Sequence, residues 1–219
     1  MKIIGFILLF ATAMQAQNFE LHVEAKTVIP GRKIYLEYIN ELGKMVKIDS
    51  ASPSAQRKVI FKGKVKDQGA FYLVIFFDTP KPQKVLVILE GGETIDIVAD
   101  GINNEDGKGD FTLKGDYSNV KYMLELLAIS KEMEAKVRKW NQEIQVDQKQ
   151  EKRIQAEFTQ AQAASTAKIK ALIPLMGSHL VALWATNFLP AEKEMASLVD
   201  IADRLGKARP THPQVQQFV

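Results

Sequence analysis

Residues 111–127 read FTLKGDYSNVKYMLELL, and a change of rhythm inside them decides the fold. Phe111 and Leu113 alternate with Thr112 and Lys114, the period of two that a half-buried strand shows. Past Gly115 the apolar residues Val120, Met123, Leu124 and Leu127 recur at three and four, the spacing of one helix face. A strand therefore ends near Gly115. A helix follows from Ser118 or Asn119, whose short polar side chains suit them to accept the orphan amide protons of a first turn.

Upstream of this boundary the period of two repeats. Phe19, Leu21, Val23 and Ala25 alternate with polar neighbours, and after Pro30-Gly31 so do Ile34, Leu36 and Tyr38. Residues 45–48, 59–65, 70–77, 85–89, 94–98 and 111–113 continue the series, punctuated by Leu42-Gly43, Ser52-Pro53, Gln68-Gly69, Thr79-Pro80, Gly91-Gly92 and Asp100-Gly101. Short strands at such spacing predict a sandwich or barrel. The nearly unbroken apolar runs 71–77 and 85–89 predict central strands covered on both faces by the helices that follow.

Downstream, Leu126, Met133, Val137, Trp140 and Ile144 extend the helical stripe, residues 145–153 (QVDQKQEKR) interrupt it, and Ile154, Phe158 and Ala161 resume it. A long helical hairpin is expected. Pro174 closes its second arm, and Pro190 is placed to open a further helix as a first-turn proline. Met195, Leu198, Val199, Ala202 and Leu205 are read as the buried face of that helix, with Gly206 ending it. Pro213 starts a last helix with only residues 214–219 left to it, short enough to be marginal alone. Val215, Phe218 and Val219 on this stub read as an exposed docking edge, and the natural polypeptide is expected to continue. The fold class is thus α+β, an antiparallel β-sandwich of about eight strands over residues 17–116 and an all-helical region over 117–219.

Residues 1–16 stand apart. Lys2 precedes the apolar run 3–10 (IIGFILLF), and the small residues of 11–16 (ATAMQA) suit a signal peptidase, with cleavage expected after Ala16. The apolar run is shorter than the ~20 residues a bilayer crossing needs, and Gln15, Gln17 and Asn18 follow at once. The expected location is the periplasm or cell envelope, with no membrane span after cleavage.

The chain has 219 residues, of which 46% are hydrophobic and 25% charged, with a net charge of +3. That balance excludes a disordered or collagen-like chain and does not suggest a nucleic-acid partner. With no cysteine, the chain can form no thiol nucleophile, CxxC pair or iron–sulfur cluster.

The search for chemistry assigns no catalytic, cofactor-binding or metal-binding residue. Phosphate-loop, dinucleotide-binding, nucleophile-elbow and H-E-x-x-H strings are absent from the sequence. Residues 101–110 (GINNEDGKGD) invite a calcium reading, but taking Gly107 as the turn glycine puts Ile102 where the first carboxylate must stand. Ser178-His179 reads as a helix entry rather than a nucleophile and base, since adjacent residues rarely meet one substrate atom. His22 and His212 read as lone histidines. Glu90 and Glu93, flanking Gly91-Gly92, read as exposed carboxylates on a hairpin turn, because paired acids act only where burial separates their pKa values. Trp140 and Trp184 fit helical core stripes, and the mixed charges of 131–153 fit a solvated helix face.

The strings ILEGGETIDI (88–97) and FTLKGDYSN (111–119), with KIYLEYI, Asp49-Ser50 and VIFKGKV upstream, resemble the β-rich domain of unknown function that precedes thioredoxin-like modules in bacterial envelope proteins of the TlpA type. The stretch from Ile169 through His179 to Phe188 and the ending HPQVQQF resemble the helical connector that leads into such a module. The resemblance implies a non-catalytic accessory region of a periplasmic thiol-disulfide oxidoreductase. Its partners would be a thioredoxin-like module, in cis downstream or in trans, and client proteins. This chain lacks the W-C-x-x-C site, so no functional residue carries over. The alternative is a stand-alone envelope binding or scaffolding protein without a redox role.

Overall fold

In the computed structural model, residues 18–104 and 109–219 are described; the expected signal peptide lies outside them. Among the described residues are β1 (Asn18–Ala25), β2 (Ile34–Ile39), β3 (Met45–Ala51), β4 (Lys58–Lys64), β5 (Ala70–Phe76), β6 (Gln83–Leu89), β7 (Thr94–Ala99) and β8 (Phe111–Lys114). Helices α1 (Ser118–Val146), α2 (Glu151–Leu172), α3 (Val181–Ala185), α4 (Met195–Ala208) and α5 (Pro213–Phe218) follow. The strands form two four-stranded sheets, ordered β4-β1-β7-β8 and β3-β2-β5-β6. Every pair is antiparallel except β1 with β7. That exception arises because the chain leaves the first sheet after β1, builds the second, and re-enters beside β1 running the same way.

Alternation fixes which side chains meet between the sheets. Phe19, Leu21, Val23 and Ala25 of β1 are buried, and they face Ile34, Leu36, Tyr72, Val74 and Phe76 of the other sheet. The rings of Phe19 and Tyr72 lie 5.5 Å apart across the gap. The opposite side of β1 and its neighbours carries Glu20, His22, Glu24, Lys58, Lys62 and Asp96 toward water. The second sheet differs: Phe71, Ile75 and Ile88 on its outer side are buried too, because the helical region packs there. One core cluster consequently runs from Phe19 through Leu126, Met176 and Ile201 to Val215.

Of the two apolar runs read as central strands, β5 is central, whereas β6 is an edge. Its apolarity has another cause. The start of α1 stands against both β6 and β8, so the open edges of the two sheets are closed by a helix rather than by more strand. The hairpin of α1 and α2 is present. Trp140 and Phe158 stack edge to face across it at 6.2 Å, and the indole donates to Glu157 at 2.9 Å. Lys168 and Lys136 together hold the Glu132 carboxyl down at about 2.

Three local expectations are corrected. Residue 117, not 118 or 119, is the cap position of α1, and it has no side-chain cap bond. Pro190 accepts two amide bonds in a separate turn, and α4 opens only at Met195. The buried side of α4 is Ile201 and Leu205 with Leu198 partly covered, while Met195 and Val199 face water; the helix continues past Gly206 to Ala208.

Candidate functional site: a charged clamp between sandwich and helices

The link from β6 to β7 is Glu90-Gly91-Gly92-Glu93. Since β6 and β7 belong to different sheets, it is a crossing between layers and not a hairpin turn. The crossing needs two successive left-handed residues, and Gly91 (φ 105°) and Gly92 (φ 90°) provide them. Glu93 is buried, and its carboxylate accepts the amides of Glu90 and Gly91 at 2.6 Å each, which sets the turn. The two acids are therefore not exposed, as their positions beside glycine suggested. One closes the turn, and the other is turned toward the helices.

Glu90 Oε1 accepts the Leu180 amide at 2.8 Å and the Arg209 guanidinium, and Oε2 faces His179 Nδ1 at 2.6 Å. Arg209, just past the end of α4, also donates from Nε to the Ser178 carbonyl at 2.7 Å and from Nη1 to the Gln68 carbonyl at 3.0 Å. One guanidinium thus holds three segments: the β4–β5 turn, the end of β6, and the entry to α3. The Glu90 and Arg209 side chains are 13% and 16% exposed, so water screens the pair weakly.

The start of α1 joins the same junction. Tyr117 Oη donates to the Gly92 carbonyl at 3.2 Å and accepts the Thr94 amide at 3.0 Å. Asn119, expected to cap its own helix, is buried and instead accepts the Val181 amide through Oδ1 at 3.1 Å. Close by, His212 donates from Nε2 to the Gly69 carbonyl at 2.8 Å and accepts the Val215 amide at Nδ1, which is the neutral tautomer. Gly69 is required there: its φ is +126°, and a methyl group would lie 2.9 Å from Leu180.

These groups line an open cleft of about 470 Å³ bordered by Gln68, Glu90, Tyr117, Asn119, His179 and Arg209. Glu90 fixes the His179 ring, leaving Nε2 toward solvent, but no hydroxyl among the described residues lies within hydrogen-bond distance of it. The arrangement holds elements together. It does not set a nucleophile beside a base.

The other positions weighed in the sequence lie elsewhere. His22 is not alone: Glu20 faces its Nε2 at 2.8 Å and Asp96 its Nδ1 at 2.9 Å, both hydrogen bonds raising its pKa. Both ring nitrogens are thereby occupied, which suits an imidazolium bridging β1 and β7 rather than a metal ligand. The Glu20-x-His22 spacing on one strand face was visible in the sequence; the partner Asp96 was not, since it depends on the parallel register of β1 and β7. At the 101–110 stretch, Asp100 is committed to Lys26 at 2.9 Å and to the Asp110 amide at 2.7 Å; residues 105–108 lie outside the described set. The final helix is not a free stub. Val215 is fully buried, and Gln214 donates to the Ile39 carbonyl at 3.0 Å.

No described helix is long and apolar enough to cross a membrane. No curated protein matches the chain. A family model matches residues 19–159, from the start of β1 into the first turns of α2. With more than half of its length matched, the chain belongs to the family of domains of unknown function designated DUF4369.

Proposed function

We propose that this chain is the non-catalytic accessory region of a periplasmic thioredoxin-like thiol-disulfide oxidoreductase, a platform that positions the redox module or presents client proteins to it. The observation that carries the reading is the Glu90–Arg209 clamp. It ties the β-sandwich to the last helices with weakly screened charge, so a module joined beyond α5 has its orientation set by the sandwich. The thiols must come from that module, because this chain contains no cysteine. The envelope location rests on Lys2, the apolar run 3–10 and the small residues 11–16.

A second reading, a stand-alone envelope binding or scaffolding protein, draws on one feature. A groove of about 400 Å³ between α1, α2 and residues 186–190 is lined by Ile129, Met133, Val137, Phe158 and Phe188, and could take apolar side chains of a client.

Mass spectrometry of the native polypeptide from an envelope fraction tests both. The first reading expects an amino terminus near Gln17 and a CxxC-containing module, either continuous with Val219 or co-purifying. An intact Met1 in the cytoplasm overturns the location, and absence of any such module favours the second reading.

A further inference from the structure

Residues 195, 199, 202 and 206 are spaced by four, three and four, so they form one line along α4. The line is Met195, Val199, Ala202 and Gly206, apolar throughout. It was expected to be core. Instead Ile201 and Leu205 take that place, leaving Met195 59% and Val199 52% exposed. At the far end of the line Val219 packs on Gly206, where an added methyl would stand 3.3 Å from Val219 Cγ2. The α4–α5 contact thus covers only the last part of the stripe, and the rest continues uncovered. Val219 is itself 69% exposed. Asp200, Asp203 and Lys207 border the stripe on its solvent side, giving it the polar rim of an interface patch.

We propose that Met195, Val199 and Ala202, continued by Val219, are the seat of the thioredoxin-like module; the inference rests on the function proposed above. Two observations select this occupant. The stripe continues an interface the chain already makes, that of α4 with α5. A module joined at Val219 also leaves the body at the end of the stripe, so its nearest surface meets α4 without a long linker. The docking surface is therefore moved from the stub to the helix beside it: Val215, expected to be part of an exposed edge, is interior.

Methionine oxidation reads the seat directly, because sulfoxide formation follows exposure of the thioether. The chain is treated with hydrogen peroxide alone and joined at Val219 to the oxidised module recovered with it, and the sulfoxide at each methionine is followed by mass spectrometry. Met45, 50% exposed on β3 and remote from α4 in sequence and sheet, is the internal reference. Docking slows Met195 by at least about tenfold relative to Met45, and Val199→Asp restores the free rate. An unchanged Met195 to Met45 ratio overturns the seat, whatever the variant does. If the module alters client reduction while Met195 stays unprotected, the seat is wrong and the accessory function stands. If the module changes neither, the function fails with it.

Discussion

Glu90 is the residue on which the two halves of the chain depend. Its carboxylate takes a guanidinium, an imidazole and a backbone amide, and both charged partners of the main pair are mostly withdrawn from water. Truncating one member of such a pair leaves the other charge buried, so Glu90→Ala is expected to lower the unfolding free energy by about 3 kcal/mol, read by urea denaturation. A loss under about 0.5 kcal/mol would place the pair with ordinary exposed ion pairs. His212 gives a second test at this scale. Burial, and then the charge of Arg209, pushes its pKa below the usual histidine value. The folded protein binds fewer protons there than the unfolded chain, so the stability it adds is present above pH ~6.5 and is lost as pH falls from that value. His22 has the opposite sign: its raised pKa adds stability below pH ~6.5 that is lost as pH rises through the folded value. His212→Gln should therefore flatten the fall of the urea midpoint below pH ~6.5. An unaltered slope would show that His212 is not held neutral.

The helices and strands were legible in proportion to how strictly one neighbour covers them. The β1, β2, β4 and β7 patterns alternate because each has one side on the inter-sheet core and one in water, and the sequence carries that directly. β6 misled because its apolar run reports a helix at its edge, not strands on both sides. α4 misled differently. Its apolar arc is wider than the surface its own chain covers, so periodicity alone could not choose between Val199 and Ile201 as the centre of the buried side. The structure chooses Ile201, and Ile201→Ala is expected to cost about 3 kcal/mol while Val199→Ala costs less than about 0.5 kcal/mol. Equal losses in paired denaturation curves would mean the helix is rotated from the position described. The clamp was least legible. Glu90, His179 and Arg209 are far apart in sequence, and each alone looks like a solvated polar residue; what unites them is a layer crossing at Gly91-Gly92 that no local pattern specifies.

At the scale of the whole molecule, two sheets, a helical hairpin and two closing helices share one core, and the clamp sits where they meet. A rigid body without thiols has a role in disulfide chemistry only by placing something that has them. The direct test is the rate at which the thioredoxin-like module reduces a protein disulfide when free and when joined to this chain at Val219, with dithiothreitol as the electron source. The account predicts no dithiol-dependent reduction by the chain alone, a different rate or client preference for the joined module, and loss of that difference in Glu90→Ala. Identical rates and preferences for free and joined module would contradict it.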